Sequence, residues 1–271
     1  MDNNYNYDEK KIPEYVSRLN TVLKLKPTVT AMKFYEKREE MEAVPKIRIP
    51  KEGELFTTCQ LIAQTTRLNF TIGFCNEHLP TLQCSGVCSF IGKNDFKKAR
   101  HLTGAWYATN EDTFKHQNSM YLMDKIYEAV AISPAILGRL KEPDVILVYG
   151  LPEQIMFIAC ALQYDDYKPM GVSFVGESSC SDSWVRACVT GKPCFTIPCF
   201  GERRFGGVLE DELVMAFPPE YLPKILDGLD HLFKNGMKYP ASQYGIQNDV
   251  RIGMSAVYDL ETLQRPQGSG V

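Results

Sequence analysis

Residues 143–156, PDVILVYGLPEQIM, carry the plainest structural statement in the chain. Residues 145–149 form an apolar run of strand length, Gly150 ends it, and Pro152 opens a helix reaching to about Leu162. Toward the C-terminus the alternation continues. Strands are predicted at 171–175, 194–197 and 213–217, with a helix over 181–189 between the first two. A last helix has Leu222, Ile225, Leu226, Leu229 and Phe233 in register. Strands alternating with helices at these intervals predict β-α units and a sheet that is at least partly parallel.

Toward the N-terminus, residues 12–23 place Ile12, Tyr15, Val16, Leu19, Val22 and Leu23 on one helical face, with Pro13 in the first turn. A strand follows at 29–35, and the charged, proline-containing stretch 36–53 reads as a surface connection. Between 55 and 91 the pattern is short and interrupted, with Cys59, Cys75, Cys84 and Cys88 among the turn signals Gly73, Pro80 and Gly86. Residues 94–140 read as mainly helical, best over 118–131, up to a break at Ser133-Pro134. The expected fold class is α/β: a mixed, partly parallel sheet flanked by helices, with a cysteine-rich irregular segment in the first half. One domain over 1–264 is expected, holding the cysteine-rich segment 55–92 and the β-α units 143–235. Residues 265–271 read as a loose tail.

Composition narrows the function classes. The 271 residues are 44% hydrophobic and 23% charged, which excludes collagen-like, coiled-coil and wholly disordered chains. Thirty basic and 33 acidic residues leave a net charge of −3 with no basic block, so nucleic acid is not an expected partner. No apolar run reaches the roughly 18 residues of a membrane span, and the polar start MDNNYNYDEKK is unlike a signal peptide. A cytoplasmic location without membrane association is expected. In that reducing compartment the nine cysteines are not expected to form disulfides.

Context separates these cysteines better than spacing does. Only Cys84-Ser-Gly-Val-Cys88 has the short spacing of a zinc knuckle, and no second knuckle accompanies it. The compact ferredoxin run is absent too. Cys84 precedes Ser85-Gly86 and Cys199 precedes Phe200-Gly201, where small residues let the backbone approach a ligand. Cys180 lies where a strand hands over to a helix, and Cys59 begins another helix. Cys160 and Cys188 read as core residues.

The stretches TVTAMKF (28–34), TTCQLIAQTTR (57–67), LQCSGVCSFIG (82–92), PDVILVYGLPEQIM (143–156), GESSCSDSW (176–184) and IPCFGERRFGGVLEDELVMAFPP (197–219) are similar, in this order, to the "domain of unknown function 169" proteins of anaerobic bacteria and archaea. That resemblance implies a cysteine in each of four blocks, at Cys59, Cys84, Cys180 and Cys199, and it implies no reaction. Four thiolates suit a [4Fe–4S] cluster, with zinc as the alternative. Cys88 and Cys75 remain open as replacements for Cys84.

Around such a centre, Lys33 in an apolar strand and Arg203 after the Cys199 turn are candidates for holding an acid group, with Arg204 as the alternative to Arg203. Glu212 is the candidate base, and Asp182 reads as a helix-start residue. Of His78, His101, His116 and His231, only His78 lies near the cysteine-rich segment, and no Ser-His-Asp or Cys-His pattern is present. Two functions are expected in competition. One is an iron–sulfur enzyme acting on a small organic acid by electron transfer or hydro-lyase chemistry, with an electron-transfer protein as redox partner. The other is a non-catalytic carrier or accessory protein for zinc or a cluster. Homo-oligomerisation is expected from base rates alone.

Overall fold

The computed structural model describes residues 5–98 and 106–242, and within them six strands form one sheet. In chain order they are β1 (Thr30–Tyr35), β2 (Ile72–Cys75), β3 (Ala129–Pro134), β4 (Val145–Gly150), β5 (Cys194–Thr196) and β6 (Leu213–Phe217). Across the sheet the order is β2-β3-β1-β4-β6-β5, and every neighbouring pair is antiparallel. This corrects the expected partly parallel sheet. β4 and β5 do run the same way, but β6 lies between them and opposes both.

The reason lies in the segment between β4 and β5. Residues 171–175 join no ladder. The Val175 N–H and the Ser173 hydroxyl instead donate to the Asp182 carboxylate, each at 2.6 Å. The helices on either side of this segment cover opposite faces of the sheet, so the chain changes face and makes no one-face crossover. Asp182, fully buried, therefore staples a loop.

A second correction concerns residues 118–131. The helix here is Asn110–Ser119, and β3 starts at Ala129. Every residue of β3 is buried, and its place between β2 and β1 overrides any helical preference. His101, residues 243–264 and the tail 265–271 lie outside the described residues.

Helices cover both faces. In chain order they are α1 (Ile12–Leu23), α2 (Arg38–Glu42), α3 (Thr58–Thr66), α4 (Leu82–Val87), α5 (Lys93–Lys98), α6 (Asn110–Ser119), α7 (Pro152–Gln163), α8 (Arg186–Thr190), α9 (Phe200–Arg204) and α10 (Tyr221–Lys234). On one face, Ala31, Tyr35, Ile146, Val148, Met215 and Phe217 of the strands meet the apolar stripes of α1, α7 and α10. There α7 and α10 pack backbone to backbone, because a Cβ at Gly228 would lie 2.7 Å from the Ala161 Cα and carbonyl carbon. On the other face, Met32, Phe34, Leu147, Tyr149, Val214 and Ala216 meet the short helices α3 and α4, buried Trp184 and α8. Strand alternation thus puts adjacent residues of one run into different cores.

Among the described residues no helix is long and apolar enough to cross a membrane.

Candidate metal centre

The second face carries the thiols. Thr57 starts α3 with a reciprocal cap: its Oγ1 accepts the Gln60 N–H at 3.2 Å and the Gln60 side chain accepts the Thr57 N–H at 2.9 Å. This sets Cys59 in the first turn, while Leu61, Ile62 and Thr65 anchor the helix to the sheet. Cys199 starts α9, and its N–H donates to Ser179 Oγ at 3.0 Å. Ser179 is itself buried and adjoins Cys180, which leads into a π-helical turn at Ser181–Val185. Such wide turns recur at functional sites because they re-aim side chains without ending the helix.

Three separate segments therefore bring Cys59, Cys180 and Cys199 together. Cys180 shares a hydrogen bond with Cys59, and both Cys59 and Cys199 lie within charge-interaction range of Cys180. Cys180 is 7% exposed and Cys199 6%. Gly201 faces the same place, for a Cβ there would lie 3.6 Å from Cys199 Sγ and 3.7 Å from Cys59 Sγ. Its missing side chain leaves open the space between two sulfurs. Gly206 serves the neighbouring contact, since a Cβ there would meet the Glu202 carbonyl oxygen at 2.7 Å and that of Cys59 at 3.1 Å. The start of α3 and the end of α9 are thus in backbone contact.

A carboxylate that sequence reasoning missed sits beside these thiols. Glu202 is 1% exposed, its Oε1 accepts the Tyr149 hydroxyl at 2.8 Å, and its Oε2 makes no hydrogen bond of ordinary geometry among the described residues. Burial raises its pKa, although Tyr149, Ser179 and Arg203 oppose the rise. The hydrogen bond with Cys59 holds the Cys180 thiol well above its ordinary pKa, helped by burial and by the charges of Cys59, Glu202 and Cys199. Burial, with Glu202 and Cys59, pushes Cys199 up to about 11, while donors from Ser179 and the Glu202 N–H favour its thiolate. Cys59 and Glu202 thus oppose ionisation of both Cys180 and Cys199, in addition to their burial.

Cys84 is half-buried on α4 and lies near Cys88. Next to it, the Gln83 amide donates to Ser178 Oγ at 2.6 Å and to Glu177 at 3.0 Å, tying α4 to the approach to Cys180. Cys88 is fully buried and bonded at 3.5 Å to Thr58 Oγ1. Burial raises its pKa, with Cys84 and Cys59 adding to the rise. Cys75 belongs to the opposite core and is not part of the group.

A single zinc ion, with Zn–S bonds of about 2.3 Å, needs sulfurs about 4 Å apart. Among the described residues, the group of three donors within 4.8 Å of one another is Cys75, Glu77 and His78, not the three converging thiols. Those donors are engaged already: His78 Nδ1 accepts the Cys75 N–H at 3.0 Å, and Glu77 pairs with Arg38 at 2.7 Å. Cys59, Cys180 and Cys199 do not all lie within 4.8 Å of one another.

The profile of the DUF169 family, described as "Uncharacterised ArCR", matches residues 18–228, most of the chain. The chain belongs to the DUF169 family. It is also 31% identical over 90 residues to the "Uncharacterized protein MJ0308" of Methanocaldococcus jannaschii, a match covering 33% of this chain and 39% of that protein. No solved structure matches it.

In this DUF169 chain the three charged candidates are not all brought to the thiols. Lys33 shares the strand face of Ala31 and Tyr35, opposite to the thiols, and its Nζ donates to the Lys141 and Glu142 carbonyls at 2.8 and 3.1 Å. Arg203 follows Glu202, and its Nη1 donates to the Leu209 carbonyl at 2.6 Å; Arg204 is exposed. Glu212 grips Arg67 through both oxygens and accepts the Leu209 N–H at 2.8 Å. Burial raises its pKa, but Arg67 and the Leu209 N–H outweigh burial and hold it below the ordinary value. A carboxylate so engaged is a poor base. Its role is to fasten the end of α3 to the loop after α9, which keeps Cys59 beside Cys199. Cys160, expected in a core, is exposed, and Cys188 is half-buried.

Proposed function

We propose that this protein binds a [4Fe–4S] cluster on the second face of its sheet and uses it in an enzymatic reaction on a small organic acid or its derivative. The observation that carries the proposal is the approach of Cys59, Cys180 and Cys199 from three segments, two of them, Cys59 and Cys199, beside the bare Cα of Gly201. These three thiols would hold the cluster, and Cys84 lies on α4 over the same face of the sheet. When bound, such a cluster supplies one-electron transfer or, at an iron without a protein thiolate, Lewis acidity toward a hydroxyl or carbonyl oxygen.

The protein's own residues fit that task. Ser179 and the Glu202 N–H donate toward Cys199, and hydrogen bonds to the sulfurs are a main control of cluster potential. Trp184 and Phe34, with ring centroids 5.9 Å apart, belong to the same buried core as Cys180. The substrate reaches the site from the exposed side of α9, where Arg203 and Arg204 can meet an acid group. An electron-transfer protein would be the redox partner if the reaction is an oxidation or reduction. A carrier needs exposed, exchangeable thiols, and the burial of Cys180 and Cys199 favours the enzyme reading.

The test is anaerobic purification followed by the visible spectrum and iron, sulfide and zinc assays. Broad absorption near roughly 400 nm, with about four iron and four sulfide per chain, is the expected result. Cys59→Ser, Cys180→Ser and Cys199→Ser should each abolish it. Stoichiometric zinc without sulfide, or a colourless metal-free protein after reconstitution, overturns the proposal.

A further inference from the structure

We infer that Glu202 supplies a fourth, oxygen donor to this centre through Oε2, an assignment that rests on the cluster reading above. Glu202 is almost wholly buried, and its two oxygens differ. Oε1 is occupied by the Tyr149 hydroxyl at 2.8 Å, while Oε2 makes no hydrogen bond of ordinary geometry among the described residues, the Ser179 hydroxyl being the donor nearest the carboxylate besides Tyr149. Leaving a buried carboxylate oxygen unsatisfied is costly. A fold that keeps such an oxygen next to thiols has a reason to present it.

The surroundings supply that reason. Cys199 and Glu202 lie three residues apart, the spacing that sets two side chains on one side of a helical turn. Gly201 between them contributes no Cβ to the space bounded by Cys59 and Cys199. Tyr149 projects from β4 into the same core as Cys180, and its hydroxyl pins one oxygen so that the other is turned away from it. That is how partners behind a ligand orient it. The adjacent cation does not neutralise the carboxylate by a side-chain bond, because the Arg203 Nη1 donates to the Leu209 carbonyl. Cys84 is placed differently: it is half-buried on α4, is capped by Thr81 at 3.1 Å, and interacts with Cys88. A carboxylate is a harder and more readily displaced donor to iron than a thiolate. The iron it holds is therefore the one a substrate oxygen can take over, which favours an oxygen-bearing acid as the substrate.

The experiment compares iron and sulfide content and ⁵⁷Fe Mössbauer spectra of the anaerobically prepared wild type, Glu202→Gln, Glu202→Cys and Cys84→Ser proteins, with circular dichroism as the check on folding. Wild type should show one iron distinct from the rest. Glu202→Gln should lose that distinct iron, roughly a quarter of the total. Glu202→Cys should make the spectrum uniform, and Cys84→Ser should match the wild type. If Glu202→Gln does not fold, Glu202→Cys carries the same test. A spectrum unchanged in the Glu202 variants, with cluster loss in Cys84→Ser, overturns this inference and leaves the cluster intact. A wild-type protein free of iron and sulfide overturns the cluster reading as well.

Discussion

The two faces of the sheet are built on different principles. Under one, α1, α7 and α10 are helices of 12, 12 and 14 residues whose apolar stripes close a core of ordinary side chains. Under the other, α3, α4, α8 and α9 have nine residues or fewer, a π-helical turn interrupts the chain, and thiols and a carboxylate are buried together. The first face is mainly explained by burial, with Cys75 and Gln154 as its isolated exceptions. The second groups Cys180, Cys199 and Glu202, which burial penalises, in one place.

Substitutions can break this comparison. The largest effect is expected at Trp184, wholly buried in the core that holds Cys180. Trp184→Ala should cost about 3–5 kcal/mol in urea unfolding, and it should remove iron as well. If stability falls while iron per folded chain is retained, the thiol group does not depend on that side chain. On the helical face, Gly228→Ala forces a Cβ into the Ala161 backbone and should cost about 1–3 kcal/mol. Iron per folded chain should stay unchanged there, and a parallel loss of iron would show that the faces are not separate.

The Arg67–Glu212 pair sharpens the comparison through pH. Because the folded protein holds Glu212 below its ordinary value of 4.5, its contribution is complete above that pH and is lost as pH falls through the lower folded value. Glu212→Gln should cost about 2–3 kcal/mol at neutral pH and should flatten the acid side of the stability profile. An acid limb as steep as that of the wild type would contradict the pairing. Smallest of all, Cys160→Ser on the solvent side of α7 should change stability by less than about 0.5 kcal/mol and leave iron untouched.

Legibility in the sequence follows the same division. The amphipathic pattern of α1 and α10 and the apolar run of β4 state their elements outright, because one stripe or one run meets one core. Residues 129–134 read as the end of a helix, because the place between β2 and β1 that makes them a strand is a long-range fact. Strand direction is not legible for a related reason: alternation of strands and helices is silent on which face each helix takes. At the site, turn context singled out Cys59, Cys180 and Cys199 as well as Cys84. Glu202 was hidden among the charges of GERR, although its spacing from Cys199 and the inward-facing Tyr149 of an apolar strand were signals that could have found it. Lys33 misled because one residue along a strand is the difference between two cores.

The most direct test of the second face as a cluster site is native mass spectrometry of the intact chain prepared without oxygen, wild type beside Cys180→Ser. The wild type should appear at the mass of the chain plus one [4Fe–4S] unit, and Cys180→Ser at the mass of the chain alone. A wild-type mass equal to that of the bare chain, or raised by one zinc ion, would contradict the account.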